Sequence, residues 1–164
     1  TDFNADHRAV EDGKVYYQYD NFLGYRKGAD GQPEIDPEEA AIVRRIFSRY
    51  LMGHSIRQIC KDLMADGVKT AKGGDHWHDS VVQNMLQNEK YIGDALLQKT
   101  YTADLFTHQT KKNTGILPQY YVPECHPAII VRETFHKVRE EIARRSSLRK
   151  TSAKATRELA RYSG

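Results

Sequence analysis

Hydrophobic residues recurring at spacings of three and four organise the middle of this chain. In IDPEEAAIVRRIFSRYLMG, the residues Ile42, Val43, Ile46, Phe47, Tyr50 and Leu51 share one stripe, which predicts an amphipathic helix. Asp36 stands at the cap, Pro37 suits the first helical position, Glu39 has the capping-box spacing, and Gly53 supplies the stop. Arg44, Arg45 and Arg49 fall on the opposite face. A second helix begins after Ser55, with Ile56, Ile59, Cys60, Leu63 and Met64 inward and Gly67 at its end. The segment VKTAKGGD is a loop by composition. The inward pattern then returns at Val81, Val82, Met85 and Leu86, leaving Ser80, Gln83, Asn84 and Gln87 to face outward.

After Gly93 the period changes. DALLQKTYTADLFT and QYYVPE are strand-like, and HQTKKNTGILP between them reads as a polar loop, so a hairpin is expected. Near the start, VYYQYDNFLGYRKGADGQ is aromatic-rich and extended, ending in a Gly-Ala-Asp-Gly turn. VRETFHKVREEIARR predicts a last helix burying Phe135, Val138 and Ile142. The fold class that follows is α+β and mostly helical: a helix-turn-helix-like three-helix core, a β-hairpin or small sheet, and a C-terminal helix. No internal repeat or sustained heptad is present.

Composition narrows the function classes. Charged residues make up 29% and hydrophobic residues 39% of 164, enough for one domain with a core. No apolar run has the length of a membrane span or the layout of a signal peptide. A chain beginning at Thr1 reads as a piece of a larger protein. Cys60 and Cys125 are too few for a disulfide framework, and the expected setting is reduced and cytoplasmic. The net charge is only +3, but residues 144–164 hold seven Lys and Arg against one acid, leaving the rest at −3. A near-neutral body with a basic tail suits a polyanionic partner, and equally suits a solvated end.

The candidate chemistry is sparse. His76 and His78 flank the only tryptophan, yet no further ligands follow at zinc spacing, so neither a metal nor another cofactor is expected. Trp77 reads instead as a packing anchor before a helix capped by His78 or Asp79. A metal-dependent enzyme using His76, His78 and Asp79 is the weakest reading. No serine has a nucleophile-elbow setting, the adjacent glutamates suit helix surfaces, and no phosphate-cradling glycine loop occurs. The outward amides of the third helix are different: Gln and Asn side chains can bond adenine edges in the major groove. Ser80, Gln83, Asn84 and Gln87 are thus base-edge candidates, with Lys69, Lys72 and Lys90 nearby in sequence to meet phosphates.

Taken in order, GYRKG at 24–28, IVRRIF at 42–47, the S-I-R-x-I pattern at 55–59, Gly67-Val68-Lys69-Thr70, Trp77, the valine-leucine helix, Asn88 before Tyr91-Ile92-Gly93, HPAII at 126–130 and the Phe135 helix resemble the recombinase domain of large serine recombinases. The resemblance covers roughly residues 12–145. It implies a module that binds duplex DNA at part of an attachment site, serving site-specific recombination and integration in a bacterial or phage-encoded mobile element. It implies a separate catalytic domain carrying the nucleophilic serine, and a zinc-ribbon domain on the other side, so the fragment itself would bind DNA without cutting it. Residues 1–11 would end the connection from the catalytic domain, and 146–164 would form a basic linker towards the zinc ribbon. Arg26, Lys27, Lys69, Lys72, Arg145, Arg149 and Lys150 become the phosphate candidates. His78 and Val131 stand where polar caps are usual, each omission costing about 1 kcal/mol. The alternative is a protein–protein docking module of the synaptic complex, contacting other recombinase subunits.

Overall fold

Apolar spacing and capping residues place the helices where the sequence predicts them. The computed structural model describes residues 17–97, 100–104, 106–107, 109–115 and 119–162. The expected connection over residues 1–11 lies outside these. Helix α1 spans Pro37–Leu51, α2 Ile56–Ala65, α3 Asp79–Leu86 and α4 Arg132–Tyr162. The Asp36 carboxylate accepts from the amides of Glu38 and Glu39 at 3.1 and 3.2 Å, and the Ser55 hydroxyl accepts from Gln58 N at 3.1 Å. Glu39 does not close the box on Asp36. Its carboxylate reaches across the fold to the Gly24 amide at 2.9 Å, tying the N-terminal segment to α1.

The core forms between these helices and the chain before them. Val43, Ile46, Phe47 and Tyr50 from α1, Ile59, Cys60 and Leu63 from α2, Val82 and Leu86 from α3, and Phe135 and Val138 from α4 are all buried. Tyr91 lies among Phe22, Tyr25 and Phe47, and its hydroxyl donates to the Leu23 carbonyl at 2.9 Å. Of the expected α3 stripe, Val81 departs: it is 37% exposed. One residue is a 100° rotation on a helix, so with Val82 and Leu86 facing the core its neighbour turns to the rim.

The strands are small and antiparallel. β1 (Tyr25–Lys27) pairs with β2 (Pro33–Ile35), so the extended aromatic stretch is half of a hairpin turning at residues 28–32. β3 (Ala95–Leu97) pairs with β6 (Tyr120–Val122), and nested within it β4 (Thr100–Asp104) pairs with β5 (Gln109–Lys112). The sequence pattern assigns β5 to a polar loop. Its four residues are all exposed, so no alternation of apolar and polar positions announces the strand. At the base of this arm Asp94 is fully buried, accepting from Arg132 at 2.8 and 3.0 Å, from Glu124 N at 2.9 Å and from the Tyr121 hydroxyl.

The last helix runs further than its apolar stripe. Phe135 and Val138 are buried and Ile142 half-buried, but from residue 146 to Tyr162 every position is exposed. Residues 146–162 of the expected linker are therefore helical. Along it Thr151 and Thr156 donate to the carbonyls one turn back at 3.1 and 3.0 Å, which occupies their hydroxyls without stabilising the helix.

Candidate nucleic-acid interface

Helix α3 is held by what precedes it. Trp77 is 2% exposed, and its indole N–H donates to the Val68 carbonyl at 2.8 Å, so the ring plugs the core and fixes where the helix leaves the loop. His78 occupies the cap position with extended backbone but makes no side-chain capping bond. It packs edge-on against His76, ring centroids 4.3 Å apart, with both side chains exposed. Among the described residues, no three His, Cys, Asp or Glu side chains gather to hold a metal ion. Burial, reinforced by the neighbouring Asp79 carboxylate, pushes the Cys60 thiol up to about 11, far from thiolate chemistry at neutral pH.

With Val82, Met85 and Leu86 inward, α3 turns Ser80, Gln83 and Asn84 outward, and Gln87 continues that face at the helix end. The side-chain amide of Gln87 lies 3.5 Å from the Gln83 carbonyl, the limit of a hydrogen bond. Val81, which the sequence pattern assigns to the core, joins this face as an exposed apolar group.

The basic candidates fare differently from one another. Lys72, Arg149 and Lys150 are exposed, as is Lys27 on β1. Arg26 pairs loosely with Glu34 at 3.5 Å, and Lys69 is paired with Asp75. Arg145 is committed inside the fold. Its guanidinium donates to the Tyr50 and His54 carbonyls at 2.9 Å each and to Glu141 at 2.7 Å, and it stacks 4.0 Å from the centre of the Tyr50 ring. These carbonyls lie at or just beyond the C-terminal end of α1, where the helix dipole favours a cation. Arg144 and Arg145 together hold the Glu141 carboxyl down at about 2.

A cleft of about 520 Å³ opens beside this latch. Ser55, Ile56 and Arg57 of the α2 start, Asp79 and Gln83 of α3, and Arg145, Leu148 and Arg149 of α4 line it, with Tyr50. It brings three expected residues, Gln83, Arg145 and Arg149, to one place; Arg26, Lys27, Lys69, Lys72 and Lys150 are not part of its lining. Arg57, the arginine of the S-I-R-x-I pattern, is not among the phosphate candidates named from the sequence. A cation in the first turn of a helix runs against the dipole, and that mismatch is the signal that could have found it.

Fold and surface define a class: a helix-turn-helix-like module with a β-ribbon arm, whose third helix shows an amide-lined outer face. A family model described as Recombinase matches residues 37–145, and the chain belongs to that family. It is 29% identical over 142 residues to a protein of Bacillus subtilis (strain 168) named "Putative DNA recombinase", covering 80% of this chain and 27% of that protein. The chain thus spans little more than a quarter of that relative's length. Its fold resembles a chain from a crystal structure of an LSR–DNA complex, with TM-score 0.54 and 22% identity over 80% of this chain and 34% of the other. It also resembles a chain from a structure addressing the sequence requirements of the Listeria innocua prophage attP site, with TM-score 0.58 and 22% identity over 87% and 51%.

Proposed function

We propose that this chain is the DNA-binding recombinase domain of a large serine site-specific recombinase, recognising part of an attachment site in duplex DNA. The observation that carries the reading is α3: eight residues anchored by Trp77 and three buried side chains, with Ser80, Gln83, Asn84 and Gln87 all outward. A helix of this width fits the major groove, and Gln or Asn amides bond the N6 and N7 edge of adenine. Lys27, Lys72, Arg149 and Lys150 are exposed, and in this reading they meet phosphates; Arg26 and Lys69 would first give up their ion pairs. The exposed half of α4 carries Arg149, Lys150, Lys154, Arg157 and Arg161 against Glu158, which adds attraction for a polyanion. Cutting and rejoining belong in this reading to a catalytic domain of the parent protein, and a zinc-ribbon domain extends the grip, in a bacterial cytoplasm. Among the described residues no helix is long and apolar enough to cross a membrane.

The test is fluorescence anisotropy on random-sequence duplex DNA across a salt series. Affinity should fall with a log–log slope of about −0.9 for every phosphate neutralised. Gln83→Ala should lose about 1–3 kcal/mol of discrimination at one base pair while affinity for random DNA stays near wild type. A loss of equal size on every sequence would refute the base-reading role. A second reading, docking to another recombinase subunit, is favoured by Leu159 and Tyr162, both largely exposed on α4. Concentration-dependent sedimentation in the absence of DNA binding would select it.

A further inference from the structure

The cleft beside α3 has a composition that the base-reading face does not explain. Arg57 of α2, Gln83 of α3 and Arg149 of α4 all line it, with Ile56 and Leu148 adding apolar surface. Arg145 also borders it, but its donors are taken up by Tyr50, His54 and Glu141. Arg145 therefore sets where this part of α4 sits against α1, and with it the position of Arg149 one turn on. Arg149 makes no ion pair among the described residues. Arg57 has one partner, Asp79, reached through Nε at 3.8 Å with the two side chains 78% and 54% exposed. A pair so long and so exposed contributes little, and it leaves both terminal nitrogens of the guanidinium without a described partner.

We propose that this cleft seats one phosphodiester of the duplex backbone, gripped by Arg57 from α2 and Arg149 from α4. The inference rests on the DNA-binding reading above and adds to it a register contact: a phosphate held here stands directly beside Gln83, so backbone docking would fix which base pair the α3 amides meet. Arginine suits the task at both positions, because its planar fork bonds two phosphate oxygens at once, where lysine offers a point charge. The single acid in the lining, Asp79, lies 3.8 Å from Arg57 Nε and leaves the terminal nitrogens of that guanidinium to the phosphate.

The experiment is the same anisotropy titration on random-sequence duplex, with Arg57→Gln, Arg149→Gln, the double variant, Arg57→Lys, and Lys61→Gln as an equal charge loss on α2 outside the cleft. Thermal midpoints of all variants are compared first, since every substituted side chain is exposed and folding should be unaffected. Arg57→Gln and Arg149→Gln are each expected to weaken binding about tenfold on all sequences alike and to lower the salt slope by about 1. The double variant should lower it by about 2, and Arg57→Lys should recover the slope but only part of the affinity. Inorganic phosphate should displace duplex no better than chloride of the same ionic strength. If neither glutamine variant changes the slope more than Lys61→Gln does, the seat is refuted while DNA binding stands. If inorganic phosphate protects the cleft arginines' contribution as well as DNA does, the cleft is a free-anion site and the proposal falls. If the wild-type chain shows no duplex binding at low salt, the DNA-binding reading fails, and the seat with it.

Discussion

Arg145 separates two accounts of this surface, because the sequence makes it a phosphate contact and the fold makes it a latch. Replacing it with methionine keeps much of the stem's packing and removes the guanidinium. Two carbonyl bonds at 2.9 Å, one carboxylate bond at 2.7 Å and a stack on Tyr50 at 4.0 Å are lost together. Bonds to a charged donor contribute about 1.5–3 kcal/mol each when shielded, and an exposed cation–π contact about 0.5–1 kcal/mol. The side chain is 17% exposed, so water replaces part of the loss. A net destabilisation of about 3 kcal/mol is expected, which for a domain of this size lowers the thermal midpoint by roughly 6–12 °C. Arg145→Lys should fall between wild type and methionine, since one ammonium cannot bridge both carbonyls and lie flat on the ring. The assay is thermal unfolding by circular dichroism, paired with the salt slope of DNA binding at a temperature where both variants are folded. The latch predicts a lowered midpoint and an unchanged slope. A midpoint within about 2 °C of wild type, with a slope reduced by about 1, would refute it and restore Arg145 as a phosphate contact.

Substitutions at three further positions probe the scaffold. Burial alone would raise the Asp94 carboxyl, but bonds from Arg132, Tyr121 and the Glu124 amide hold it at about 2, below its ordinary value of 3.8. A depressed carboxyl stabilises the fold above its unfolded value, and that stability drains away as pH falls from about 4 through 2. Asp94→Asn should therefore cost about 2–4 kcal/mol at neutral pH and flatten the midpoint's fall over that acid range; an unchanged pH profile would show the cluster to be inert. Gly93 has φ +87°, and a Cβ there would stand 2.6 Å from the His126 carbonyl oxygen, so Gly93→Ala should cost about 2–4 kcal/mol in urea unfolding. Trp77→Ala should cost about 3–5 kcal/mol, and Trp77→Phe less, because the ring volume is mostly kept while the bond to Val68 is lost. A Trp77→Ala loss below 1 kcal/mol would mean that the α3 anchor lies elsewhere.

The sequence by itself determined the three core helices, because apolar spacing, Asp36, Ser55 and Gly53 act within a turn or two of where they stand. The same local logic makes Trp77 an anchor and turns the amides of α3 outward, so the candidate reading face is legible from residue spacing alone. Nothing in the spacing announces β5 or the distal half of α4. Both are exposed on every side, and without a buried face there is no periodic burial to read. Tertiary structure alone decided the fate of like residues. Glu39 has the spacing of a capping box but meets Gly24, 15 residues away, and Arg145 meets carbonyls 91 and 95 residues earlier while Arg149, one turn on, meets none among the described residues. Spacing along a chain encodes which face of a helix turns inward; which distant backbone atoms arrive opposite a given side chain follows only from how the helices pack.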